Sequence, residues 1–269
     1  MRMNARRIVI IVFFAGMISS SFISSSIAKL QKQQDQNYGR DSDWSVRLGV
    51  MGIYKPEYEG SEDYEVSGFP MIDITWRDTF FLNPRKGLGA YLWNHDDVKL
   101  GVSIGYSFGR DECSSSDLNG LGDIDSGATA NVLYEWEIDD FSLNARFEKQ
   151  FTGEDTGFQV HVNLGYAVRL GKKIMFKPSA QTIWASSNYM QKYFGISQGQ
   201  SSRSGLSVYY TDSGFKSIGL HVISIYSLNR HWGVQAMVSY DKLVGDTADS
   251  PVVKDENQYF LGLGLSYMF

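Results

Sequence analysis

Eight charged residues of this 269-residue chain sit where a β-strand would turn them away from lipid: Arg47, Lys99, Glu135, Glu137, Arg146, Glu148, Arg169 and Lys177. Most are flanked on both sides by apolar residues, and successive side chains of a strand point to opposite faces. If the apolar face is outside, the charges meet in an enclosed space. Two chemistries follow. One is an ion-pair network that fills a narrow barrel, because unpaired charges in confinement are costly. The other is a pore lining that selects solutes. Both signs are present and no single-sign ladder stands out, which favours the network.

No catalytic signature accompanies these charges. The chain has no Gly-x-Ser-x-Gly elbow, no His-Glu-x-x-His and no phosphate-binding glycine loop. Of the four histidines, His95 and His231 fall in or beside short turns, while His161 and His221 share the phase of the hidden charges. A barrel hydrolase needs its serine and histidine on the lipid-facing surface, so the expectation is a non-enzymatic protein without cofactor or metal. Acidic residues cluster at Asp111, Glu112, Asp117, Asp123 and Asp125, and again at Asp246, Asp249, Asp255 and Glu256. Asp123-x-Asp125 resembles calcium ligands, but no loop-ending Glu follows at a suitable spacing. These carboxylates read as solvated, with divalent bridges to lipopolysaccharide as their expected use. Cys113, the single cysteine, reads as an incidental loop residue.

The elements that hold the charges are long alternating runs. Val98, Leu100, Val102, Ile104, Tyr106 and Phe108 share one face, and from Phe158 to Leu170 the alternation is unbroken. Ten or more alternating residues suit a tilted membrane stave. The final strand is the clearest. Tyr259, Leu261, Leu263, Leu265, Tyr267 and Phe269 form a greasy face against Gly262, Gly264 and Ser266. An isolated strand of this kind invites aggregation. It reads as the closing stave of an outer-membrane barrel and as the signal read by the barrel-assembly machinery. Aromatics reach 14% while mean hydropathy is only −0.24, as expected when alternation hides the apolar face.

Short connections at Arg77-Asp78, 94–97, 138–140, Gly171-Lys172 and Asn229-Arg230 alternate with longer polar ones at 54–66, 110–125, 185–213 and 244–256. Bacterial barrels have short periplasmic turns and long outer loops. The predicted strands lie near 44–53, 67–76, 79–83, 86–93, 98–109, 126–137, 140–151, 157–170, 173–184, 214–228, 232–242 and 257–269. That is an antiparallel up-and-down barrel of about 12 strands, or about 10 if the stretch 67–93 is miscounted, with both termini periplasmic. The connections at 83–85 and 152–156 are short where a long loop is due. Trp44, Trp76, Trp93, Trp136 and Trp232 fall at one set of strand ends and Trp184 at the other, as interface residues should. Periplasmic contact would then fall to Arg77, Asp78, His95, Asp96, Asp139, Lys172, Asn229 and Arg230.

Residues 1–28 read as a secretory signal peptide: Arg2, Arg6 and Arg7, an apolar run from Ile8 to Ile18, and a small-residue site at Ser26-Ile27-Ala28. The run is short of the ~20 residues that span a bilayer as a helix. Its removal takes away three arginines and no acid, moving the formal charge from −5 to −8, which argues against a nucleic-acid partner. Residues 29–43 read as a periplasmic lead-in and 44–269 as the barrel.

Tyr58-Glu-Gly-Ser61 followed by Phe69-Pro70, Gly120-Leu-Gly-Asp123, Tyr193-Phe-Gly195, Arg203 to Tyr210, Gly214 to Leu220 and Tyr240 to Pro251 together resemble the MipA/OmpV family. The resemblance covers essentially the whole mature chain. It implies a non-enzymatic outer-membrane barrel that links a lytic transglycosylase to a penicillin-binding protein. A narrow channel and a surface adhesin are the other roles it implies. Outer-membrane lipid and lipopolysaccharide are the implied surroundings.

Overall fold

Alternation is converted directly into strands in the computed structural model, which describes residues 43–269. The expected signal peptide and all of the lead-in except Asp43 lie outside the described residues. The strands are β1 (Trp44–Pro56), β2 (Tyr64–Trp76), β3 (Phe80–Asn83), β4 (Gly87–His95), β5 (Val98–Ser107) and β6 (Gly127–Ile138). They continue as β7 (Phe141–Gln150), β8 (Phe158–Tyr166), β9 (Val168–Leu170), β10 (Ile174–Ala185), β11 (Gly214–Ser227), β12 (Trp232–Leu243) and β13 (Asn257–Met268).

Apart from β8 and β9, each strand pairs antiparallel with its neighbours in sequence, and β13 returns to pair with β1, Tyr54 opposite Leu261 and Arg47 opposite Met268. β8 and β9 are one stave interrupted at Ala167, since both pair with β10. The barrel therefore closes with twelve staves. Closure leaves no sheet edge along the terminal strand, which answers the aggregation hazard of its apolar face. No helix among the described residues is long and apolar enough to cross a membrane.

Two sequence boundaries need correction. β1 runs on to Pro56 and β2 starts at Tyr64, so the expected loop 54–66 shrinks to 57–63. The stretch 185–213, expected to be a plain polar loop, contains α1 (Ser187–Phe194) and α2 (Gln198–Ser204). Ser197 and Gln200 form a reciprocal capping box at the start of α2, a local signal visible in Ser197-x-x-Gln200.

One end of the barrel carries tight turns and the other carries the long connections. At the turn end Arg77, Asp78, Asp96 and Asp139 have φ near 50°, the left-handed geometry that two-residue hairpins require. Arginine is unusual there. Arg77 is held by Asp43, 2.9 Å away, and lies over the Trp76 ring. Two aromatic belts mark the membrane faces. Trp44, Trp76, Trp93, Trp232 and Tyr267 lie at the turn end, and Tyr54, Tyr64, Tyr106, Trp184 and Tyr259 lie toward the loop end.

The interior has two sectors. On β6, β7 and β8 every second residue is buried, and most of these are polar: Asn131, Glu135, Asn144, Arg146, His161 and Asn163 among them. On β1, β11 and β12 the buried interior residues include Met51, Ile53, Ile223 and Met237, packed with Phe69, Met71 and Phe260.

Candidate functional site

The polar sector is closed by an element that sequence reasoning places elsewhere. β3 has only four residues, and the connection 84–86 turns into the lumen instead of rising as an outer loop. The tilted rings of Phe81 and Tyr91 pack with centroids 4.8 Å apart and cluster with Leu133, drawing the hairpin inward. Gly87 makes the return: it has φ +82°, and a side chain there would strike the Ile104 carbonyl. Lys86 is thereby buried against the Glu135 carboxylate, and it donates to the Tyr91 hydroxyl at 3.0 Å. Tyr91 in turn donates to Glu135 at 3.0 Å. Arg146 donates to the Arg85 carbonyl at 2.5 Å and lies 3.4 Å from Glu148.

The eight charges read from the sequence divide as follows. Arg47, Glu135, Glu137, Arg146, Glu148 and Lys177 are buried. Arg47 faces Asp73 across the β1–β2 pair at 4.0 Å. Lys99 is half-buried over the Tyr91 ring. Arg169 stands apart. It is exposed at the turn end and pairs with Asp140 in the β6–β7 turn, because the break at Ala167 separates its short segment from the upper stave. His161 and His221 are buried inside, and His221 meets Asp241 at 2.9 Å.

Several interior charges escape a reading of the sequence. Lys55 pairs with Glu65 at 2.5 Å on residues taken for a loop, although both keep the phase of Arg47 and Asp73. Lys216 is buried beside Glu59, 2.9 Å away. Arg85 and Lys86 carry the typical residue types of an exposed turn. Between Lys86, Asn144 and His161 only about 10 Å³ remains, room for about one water. The polar sector of the lumen is therefore closely packed at this level.

Above that floor lies a larger cavity of about 210 Å³, roofed by the loops. The roof has its own cores: Tyr58, Leu118, Leu121, Ile196 and Val252 in one, Ala185, Tyr189, Met190 and Phe194 in another. The quoted family motifs converge here. Tyr58 donates to the Val252 carbonyl at 3.0 Å, and Ser250 donates to the Phe194 carbonyl at 2.5 Å. Arg203 donates to the Gly120 carbonyl at 3.1 Å. Gly120 has φ +84° and lies against Ser204, so no larger residue fits. Burial pushes the Tyr58 hydroxyl well above its ordinary range, with nearby Asp117 adding to the effect. Burial lowers the pKa of Arg110, which donates to the Tyr193 carbonyl at 2.6 Å. Cys113 is exposed, and Asp111 beside it raises its pKa.

At the opposite end, Arg77, Asp78, His95, Asp96, Asp139, Lys172, Asn229 and Arg230 are all exposed on the turns. The rim is divided in charge. After the mixed Arg77-Asp78 turn, Asp96, Asp97 and Asp139 occupy two successive turns, while Lys172, Lys173 and Arg230 occupy the next two. Among the described residues no group of three potential metal ligands comes together.

The sequence matches a known family. The family model described as MltA-interacting protein MipA matches residues 48–269. The chain belongs to that family. Among curated relatives of this MipA-family barrel, "Outer membrane protein OmpV" of Vibrio cholerae is 23% identical, over 86% of this chain and 89% of that protein. "MltA-interacting protein" of Escherichia coli K12 is 24% identical, over 84% of this chain and 90% of that protein. Among solved structures, the NanC porin covers 82% of this chain and 98% of its own at 12% identity, TM-score 0.44. The KdgM porin covers 83% and 99% at 9% identity, TM-score 0.42. The chain is an outer-membrane β-barrel protein.

Proposed function

We propose that this barrel is a non-enzymatic scaffold that presents its turn end to the periplasm and binds a lytic transglycosylase there, bringing it near a penicillin-binding protein. The family match, together with the relative named for interaction with MltA, supports the identity of the partner. The observation that carries the reading is the divided rim. Two acidic turns followed by two basic ones give an oriented electrostatic surface, which steers and registers a partner more than it adds affinity. Because the turns are tight, the contact is small and the complex transient. The closely packed floor at Lys86 and Glu135 argues against a through-channel as the main role.

Affinity capture from a mild-detergent envelope extract tests the proposal. A lytic transglycosylase should be recovered on the folded barrel and lost when Lys172, Lys173 and Arg230 are all changed to Glu. Undiminished recovery with both arcs of the rim neutralised would sink the scaffold reading. A steady ion current through the same protein in planar bilayers would favour a narrow channel instead.

A further inference from the structure

The barrel wall is incomplete on one side. β3 pairs with β2 only over Ile74–Trp76, and β4 follows β5 only as far as Ile104. Among the described residues, no strand lies against the Tyr64–Asp73 segment of β2 on that side, nor against Gly105–Ser107 of β5 on its facing edge. The gap is not above the membrane. Val66, Pro70 and Ile72 point outward along it, and the stacked rings of Tyr54 and Tyr64 mark its upper limit. Pro70 lacks the N–H that a paired strand would need, as suits an edge.

Burial reports the same opening. The inward residues of β6, β7 and β8 are all buried, whereas Glu65, Ser67, Phe69 and Met71 of β2 are only half-buried. The 210 Å³ cavity is lined both by inward Ser67 and by Tyr106, whose side chain is on the outward face of β5. It therefore opens sideways through the wall. A bare strand edge facing hydrocarbon is unfavourable unless it lines a wetted or occupied cavity.

The chemistry of the cavity is split. Ile53, Phe69 and Phe260 give an apolar flank. Arg110 in the roof and Arg146 in the floor both line the cavity, and each is more than nine-tenths buried. Guanidinium groups beside an apolar slot match one kind of guest. We infer that the cavity binds a single-chain anionic amphiphile, its carboxylate or phosphate held by Arg110 and its hydrocarbon chain passing along Phe69 and out between β2 and β5. Charge-assisted hydrogen bonds to guanidinium are strong and suit either head group. This inference stands apart from the scaffold reading, since it concerns the opposite half of the barrel.

A fluorescent C18 fatty acid titrated onto the folded full barrel in a non-ionic detergent tests it, with heat-dependent gel mobility as the check on folding. Saturable binding is expected, displaced by oleate or by lysophosphatidylglycerol but not by inorganic phosphate or a neutral alkyl glycoside. The better competitor of the two identifies the natural source as free fatty acid or lysophospholipid. Arg110→Gln should weaken binding about tenfold or more, and Ser67→Trp, which blocks the gap, should abolish it. Should Ser67→Trp fail to fold, Arg110→Gln and the competitors still decide. Absence of saturable binding, or displacement by the neutral glycoside with no effect of Arg110→Gln, overturns the inference. So does a disulfide-linked dimer of Val66→Cys in a Cys113→Ser background, which would put a second copy at the gap.

Discussion

Glu135 on β6 and Met237 on β12 are equally hidden from solvent inside one wall, yet different physics holds them. Glu135 stays because Lys86 and Tyr91 reach it; Met237 stays because Met51, Ile53 and Ile223 surround it with hydrocarbon and sulfur. The first arrangement is all-or-none, since removing one partner strands the other in a poorly solvating space. The second is graded, since a methionine adapts its shape to its neighbours. A barrel that contains both can be rigid at its floor and yielding along one flank.

Substitution should separate the two sectors, most sharply at the floor. Lys86→Met leaves Glu135 uncompensated and should lower stability by about 3–5 kcal/mol, read as a shift in urea unfolding followed by tryptophan fluorescence. Adding Glu135→Leu should restore most of the loss; equal stability of the single and double variants would show that the two side chains are not coupled. In the apolar sector Met237→Ala should cost about 2–4 kcal/mol, and Met237→Leu less than about 1.5 kcal/mol. If Leu proves as damaging as Ala, that sector is not graded. His221→Asn, at the border between the sectors, should cost about 1 kcal/mol through the lost contact with Asp241. The smallest effect belongs to Cys113, outside both. Because Asp111 raises its pKa, iodoacetamide should modify it more slowly at pH 8 than it modifies free cysteine. Neither Lys86→Met nor Met237→Ala should alter that rate if the roof is insulated from the floor.

The two sectors were not equally legible. Alternation identifies the barrel, its strand number and the buried faces of β6, β7 and β8, because the period is uninterrupted there and each stave has both neighbours. Lys55 and Glu65 escape because strand pairing continues past the point where the outward face turns polar. Lys86 escapes for a deeper reason. A Pro-Arg-Lys connection has every mark of a solvated turn, and only the inward pull of Phe81 and Tyr91 sends it into the lumen. Arg169 errs the other way: its phase is right for the interior, and the break at Ala167 moves it to the rim. The roof could not be read as one unit, since Tyr58, Gly120, Phe194 and Val252 meet only through tertiary contacts.

The pairing of β1 with β13 also bears on how the protein comes into being. Arg47 finds its partner in Met268, so the first stave waits for the last before its outer edge is satisfied. Contacts this distant in sequence make a slow search. They also make the last strand a condition of closure: a chain stopped before Asn257 has no partner to offer β1, whatever the quality of the strands between.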